Sequence, residues 1–288
     1  DALTPPPYFP DSPVHRKSWT THYNAVRGAD AQVEEILAQL ETDGELDNTI
    51  VLFFSDHGSN QSLRHKQFCY EGGVHIPLVI AGNHPALQAG VVRNDLVSAL
   101  DISATTLALA GVALPEHLDG QDLFSAGHQP REYIISARDR CDYTIDRIRT
   151  VRTDEMRYIR NYYPDRPMLQ PQYRDHGAEA RDLRRRRQTG ELTEYQQQHW
   201  FGRRPEEELY DLAADPHQVN NLAANPDFAA EFHRHRNILN NWIRGTDDRG
   251  QHPESVNQLK ATYDLWKDRP IFRNTDTNPE YDHFRNRK

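Results

Sequence analysis

The apolar positions along the chain change period several times, and each change marks an element. Between about residues 17 and 41, Trp19, Tyr23, Val26, Val33, Ile36, Leu37 and Leu40 recur at three- and four-residue steps. That is the stripe of an amphipathic helix, and Gly44 offers its stop. Thr49–Phe54 then runs apolar, β-branched and aromatic without alternation, which predicts a strand buried on both faces in a parallel sheet covered by helices. Pro77–Ala81 repeats the pattern over a shorter stretch. Leu96–Ala110 returns to a helical one, with small residues on its packing face. This order is α/β grammar.

After about residue 125 the pattern changes to alternation. Glu132–Ser136 reads as a strand. Ile148–Arg152 and Met156–Arg160 alternate on either side of Thr153-Asp154-Glu155, which predicts a half-exposed antiparallel hairpin, and Glu208–Leu212 adds a strand. A helix is expected from about Asp227 to Arg244, with Phe228, Phe232, Ile238, Leu239 and Trp242 on its buried face. From Gly245 onward Pro, Asn, Asp and Arg dominate without a strong period, and an arm wrapping the surface is expected there. The opening stretch through Pro10 reads as an extended, polyproline-like entry with no strand before it. The chain is therefore expected to be the C-terminal portion of a longer protein. It divides into residues 1–130, part of a mostly parallel α/β domain with helices on both faces, and 131–288, a smaller α+β subdomain with an antiparallel sheet and an extended tail.

Composition narrows the function classes. Apolar residues make up 36% of the chain and mean hydropathy is −0.87, both low, yet 13 Tyr, 10 Phe and 4 Trp cluster enough to build a core. No apolar run approaches the roughly 20 residues of a membrane-spanning helix. A net charge of −9 argues against nucleic-acid binding. Cys69 and Cys141 cannot make a disulfide framework or a four-thiolate zinc site. No basic and apolar leader is visible.

The informative chemistry follows the first strand. Ser55-Asp56-His57-Gly58 places a hard carboxylate oxygen and an imidazole nitrogen side by side, followed by a glycine that permits a tight turn. In open α/β sheets ligands bind beyond the carboxyl ends of strands, and such a pair suits a divalent cation. Lys66 then offers a point charge for an oxyanion, and Glu71-Gly72-Gly73 permits sharp bends near a ligand. Each piece has a plainer reading, as a cap, a solvated lysine or a simple turn. Their order after a buried strand favours the site.

Thr49–Gly58, Lys66 and Tyr70–Pro77 together resemble the second sequence block of the type I sulfatases, members of the alkaline phosphatase superfamily. Ala31-Gln32-Val33, Asp101–Thr105, Asp119–Leu123, Arg157–Tyr162, Glu208–Leu212, Asp215-Pro216 and Asn220–Ala223 extend the resemblance from about residue 5 to about 250. It is strongest toward heparan N-sulfatase (sulfamidase) and bacterial polysaccharide sulfatases. The resemblance implies a metal-assisted hydrolase of sulfate esters or N-sulfates on a sulfated glycan. Asp56 and His57 would be metal ligands for Ca²⁺, with Mn²⁺ as a softer alternative because many relatives carry Asn where His57 stands. Lys66 would be the catalytic, sulfate-contacting lysine, whereas His75 stands where Arg is common and takes no role. The family's formylglycine arises from a Cys/Ser-x-Pro-x-Arg motif that neither cysteine fits. The nucleophile and the remaining ligands are therefore expected in an N-terminal segment outside this chain, and the chain by itself is expected to be inactive. A periplasmic, secreted or lysosomal location goes with the family.

Arg138, Asp139 and Arg140 read either as a substrate-recognition loop between two strands, gripping sulfate or uronate and accepting sugar hydroxyls, or as an internal ion-pair network. Arg184–Arg187 could attract a polyanion, but a helix face paired with nearby acids is the better reading. Trp200, Trp242 and Trp266 are expected to pack rather than to carry sugar. Two alternatives stay open: a phosphonate or phosphodiester hydrolase of the same superfamily, and a non-catalytic glycan-binding remnant.

Overall fold

The computed structural model describes residues 3–60, 62–273 and 278–285. Its first helix, α1 (Pro13–Thr42), begins where Ser12 accepts from the His15 amide and Pro13 supplies a preset φ. Ser12 also donates to Asp182, fastening the start of α1 to the second half of the chain. Gly44, at φ +68°, turns the chain away soon after the helix ends. The expected apolar stripe lies largely uncovered, with Tyr23, Val26 and Ile36 all exposed.

Strands β1 (Ile50–Phe54) and β2 (Leu78–Gly82) pair antiparallel in a two-stranded sheet, Leu52 opposite Ile80. Parallel pairing and burial on both faces were expected. Instead Phe53, Phe54 and Val79 are exposed, because no described element covers these faces. Between the strands lie a long loop and the single turn α2 (Glu71–Val74), and α3 (Leu100–Leu109) follows. Asp101, buried in the first turn of α3, accepts from the Gln121 amide at 2.8 Å and pairs with Arg131, which explains why Asp101 and Gly120-Gln121 occur together.

The second sheet, in the order β3 (Ile134–Cys141), β4 (Thr144–Arg152), β5 (Met156–Asn161), β6 (Glu207–Asp211), is antiparallel throughout. Val151 stands opposite Tyr158 and Tyr158 opposite Leu209. The hairpin predicted about residues 153–155 is present, but it is buried on both faces rather than half-exposed. On one face Val151, Met156, Tyr158 and Leu209 meet Phe232, Leu239 and Ile243 of α6 (Ala229–Thr246). On the other, Ile148, Ile159 and Tyr210 meet Tyr8, Phe9, Leu63, Phe68, Tyr70 and Trp200. Two helices that carried no clear apolar period, α4 (Ala178–Thr189) and α5 (Glu194–Phe201), back this second face, and Trp200 is fully buried.

The N-terminal prolines deliver Tyr8 and Phe9 into that core. Trp200 donates to the Tyr8 carbonyl at 2.6 Å, and Gln196 donates to the carbonyls of Pro7 and Phe9. The tail is more regular than expected. A capping box between Ser255 and Gln258 starts α7 (Val256–Trp266), and Phe272 and Tyr281 pack on Tyr143 and Ile145. No helix among the described residues is long and apolar enough to cross a membrane.

Candidate functional site

The loop leaving β1 is shaped by its own side chains. Ser55 Oγ donates to the His57 carbonyl at 2.6 Å, closing a local turn. His57 Nδ1 lies 2.7 Å from the Gly58 carbonyl oxygen and, because a carbonyl only accepts, donates to it, which leaves Nε2 as the ring nitrogen turned toward Asp56. Nε2 in turn stands 3.5 Å from Asp56 Oδ1, while the Asp56 side chain is 83% exposed. A backbone carbonyl that fixes the far nitrogen of a histidine is the usual support of a metal-binding imidazole.

Glycine is required where this turn meets α2. The Gly58 amide donates to the Gly73 carbonyl at 2.9 Å, and a Cβ on Gly58 would stand 1.7 Å from the Gly72 carbonyl oxygen. A Cβ on Gly72 would meet the His65 ring at 2.3 Å. Asp-His-Gly and Glu-Gly-Gly are thus two edges of one backbone seam.

Glu71 anchors the seam to the four-stranded sheet. Its carboxylate pairs with the buried Arg157 of β5, with Arg152 at 3.5 Å and with His75 at 3.2 Å, and its amide donates to Gln218 at 2.7 Å. Burial alone would raise its pKa, but the His75 hydrogen bond and the Arg157 and Arg152 charges win and hold it at about 2. Arg64 adds a second anchor. Its guanidinium lies between the rings of Tyr8 and Tyr70 at 4.4 and 3.9 Å, and it donates to the carbonyls of His217 and Gln218. His65 hydrogen-bonds Tyr8 at 2.8 Å, and burial, helped by Arg64, pushes its pKa down to about 3, so it stays neutral.

Lys66 is half-buried on the same loop, its ammonium 5.5 Å from the centre of the Tyr173 ring. The residue after it, Gln67, is held at φ +82°, a conformation costing about 1–3 kcal/mol that persists only where the surroundings enforce it. Asp56 and His57 are therefore brought together, but no hydrogen bond or ion pair joins either to Lys66 among the described residues.

The other predicted residues need correction. Arg138-Asp139-Arg140 is part of strand β3, not a loop. Arg138 is buried, donates to Gln170 at 2.8 Å, faces Asp146 at 3.5 Å and lies over the Phe68 ring at 4.6 Å. Asp139 pairs with Arg149, and Arg140 with Glu254. The ion-pair reading therefore describes these side chains, because a strand flanked by β4 and the tail presents them to partners within the chain. Asp146, fully buried, also pairs with Arg204 at 2.7 Å. Arg184, Arg185 and Arg186 pair with Asp175, Asp182 and Glu191, as expected of a helix face. Cys69 is buried and its thiol is pushed up to about 11 by burial, which leaves it inert.

Among the described residues no group of three or more His, Cys, Asp and Glu is placed to hold a metal ion. Asp56 and His57 fit as a partial set, supplying two donors where Ca²⁺ takes about six to eight. The sequence assigned no role of their own to Glu71, Arg157, Tyr173 and Arg174. Glu71 lay inside the Glu-Gly-Gly stretch and could have been found there. The other three lie far along the chain, where only the folded sheet brings them to the loop.

A sequence profile described as Sulfatase matches residues 4–112. An ulvan-active sulfatase of Formosa agariphila is 35% identical over 258 residues, 88% of this chain and 43% of that protein. The N-sulphoglucosamine sulphohydrolase of Homo sapiens is 28% identical over 256 residues, 84% of this chain and 51% of that protein. A solved structure in complex with its substrate, D-glucosamine-2-N,6-O-disulfate, shares the fold with a TM-score of 0.56 at 23% identity, over 80% of this chain and 41% of that one. The chain thus spans about half, or less, of the length of these relatives. With the profile across the segment that holds Asp56, His57, Lys66 and the glycine seam, and a likeness that continues through both sheets, the chain belongs to the sulfatase family.

Proposed function

We propose that this chain carries the cation-binding pair and the charge-balancing lysine of an enzyme that hydrolyses sulfate esters or N-sulfates of a sulfated glycan. The observation that carries the reading is the placement of the His57 ring: Nδ1 lies 2.7 Å from the Gly58 carbonyl oxygen and Nε2 stands 3.5 Å from an exposed carboxylate oxygen. Asp56 and His57 would hold the ion. Bound Ca²⁺, or Mn²⁺, would supply Lewis-acid polarisation of the sulfate oxygens. Lys66 would set a fixed positive charge against the charge that builds on the sulfate group and on the leaving oxygen or nitrogen as its bond to sulfur breaks. The names of the relatives, ulvan-active sulfatase and N-sulphoglucosamine sulphohydrolase, support an acidic, sulfated saccharide as the substrate class. The nucleophile and the remaining ligands belong, on this reading, to a sulfatase segment outside these 288 residues, and the isolated chain does not turn over. The exposed apolar faces of β1 and β2 support such a partner. Export to the periplasm, the extracellular space or a lysosome goes with that substrate class.

The test is sulfate release from ulvan and heparan-type oligosaccharides by the native polypeptide that contains these residues. Asp56→Ala and Lys66→Ala are each expected to lower turnover on the order of 10²–10³-fold, and a chelator is expected to abolish it. Undiminished turnover in Asp56→Ala, or faster release of phosphate or phosphonate than of sulfate from matched esters, would overturn the assignment.

A further inference from the structure

Tyr173–His176 forms a single 3-10 turn far along the chain from the loop that carries Lys66, yet its first two side chains reach that loop. Arg174 Nη1 donates to the carbonyls of Asn60 at 2.9 Å and Ser62 at 2.6 Å, and Nη2 donates to the Lys66 carbonyl at 3.0 Å. Gln172 Oε1 accepts from Nε and Nη2 at 3.0 and 2.7 Å, which sets the plane of the guanidinium. The Tyr173 hydroxyl donates to Asn60 Oδ1 at 2.5 Å, and its ring lies beneath the Lys66 ammonium. The turn has firm supports of its own. Arg184 of α4 donates to the Asp175 carbonyl at 2.9 Å, and Thr144 of β4 donates to the Pro171 carbonyl.

From this geometry we propose that Arg174 is a positioning residue for Lys66, with the Tyr173 ring as the platform along which the ammonium is extended. The inference rests on the role given to Lys66 above and adds the device that aims it. The Lys66 carbonyl belongs to the peptide that leads into Gln67, whose φ of +82° needs an external hold. Arg174 provides one by fixing that carbonyl against two others of the same loop. Only a guanidinium can do so, because its planar fork spans several acceptors at once, whereas an ammonium is a point donor. The path from β4 and α4 through the 3-10 turn to Lys66 is short and hydrogen-bonded at each step. Removing the fork would leave Lys66 present but imperfectly aimed.

The experiment compares Arg174→Lys, Tyr173→Leu and Lys66→Ala, singly and combined, in the native polypeptide. Arg174→Lys is expected to lower kcat about 10–100-fold, the scale of a misplaced catalytic group, with KM little changed. In the Lys66→Ala background the same change is expected to add nothing further, as required of a residue acting through Lys66. Tyr173→Leu, which keeps the Arg174 fork and alters an exposed ring, carries the test if Arg174→Lys does not fold, and its smaller loss should likewise vanish without Lys66. Effects that multiply fully in the double variants, or an unchanged kcat in a folded Arg174→Lys protein where Lys66→Ala itself lowers turnover, would overturn the inference. The reactivity of the Lys66 amine toward an acylating reagent, read by mass spectrometry, keeps the two ideas apart. Changed reactivity in Arg174→Lys alongside a fully active Lys66→Ala would uphold the positioning and sink the catalytic role. Unchanged reactivity would sink the positioning itself.

Discussion

Strand β1 is apolar at all five positions and β4 at only three of nine, yet β1 has exposed residues and β4 is almost wholly buried. The difference lies in what packs on them. The sheet containing β4 is covered on one side by α6 and on the other by the N-terminal aromatics with α4 and α5, so even Arg138, Asp146 and Arg157 are enclosed and must pair. The β1–β2 pair holds Phe53, Phe54 and Val79 open and serves mainly to launch the Asp56–His57 turn. An apolar run reports what a strand can bury, not what covers it. Here the proposed site grows from the uncovered region and its rigidity is borrowed from the covered one.

The sharpest break of this contrast is Asp146→Ala. It leaves Arg138 and Arg204 without their buried anion, and equilibrium denaturation is expected to show a loss of about 3–5 kcal/mol. A loss near zero would mean that the enclosed network carries little weight. Acid titration probes the bridge between the regions. The Glu71 carboxyl lies near 2 in the fold and near its ordinary 4.5 when unfolded. The stability it contributes, about 3 kcal/mol, is therefore present above pH 4.5 and lost as pH falls toward 2. His65, depressed to about 3, adds to the same decline from about pH 6.5 downward, because the unfolded chain takes up its proton first. Glu71→Gln should flatten the acid limb of the stability curve, and an unchanged limb would count against the bridge. The smallest effect is expected at the open sheet. In the isolated chain Val79→Thr should shift stability by no more than about 0.5 kcal/mol, and a much larger loss would mean that this face is covered within these 288 residues.

The sequence foretold the helix beginning the chain, both strands flanking the site, the 153–155 hairpin and the Asp56–His57 turn, because each is written in a local period or in adjacent residues. It did not foretell the antiparallel pairing of β1 with β2, since a continuous apolar run has no sign for direction. Helices α4 and α5 escaped because an arginine-rich face and a glutamine-rich one carry little apolar period, and α7 was signalled only by Ser255 and Gln258. The recognition role for Arg138–Arg140 rested on charge alone, and charge does not say whether the partner lies in solvent or on the neighbouring strand. Arg174 could not be seen at all, for its meaning lies in three carbonyls more than a hundred residues upstream.

The seam where Gly58 rests on Gly72 leaves no room for a side chain, whereas Asp56, two residues before it, stands in solvent. Evolution and engineering therefore have unequal latitude over three consecutive residues. On the role proposed for Asp56 and His57, their donor atoms could be exchanged to retune ion preference, while the glycine beneath them is fixed by geometry, so new specificities of this scaffold would be written into the pair and not into its support.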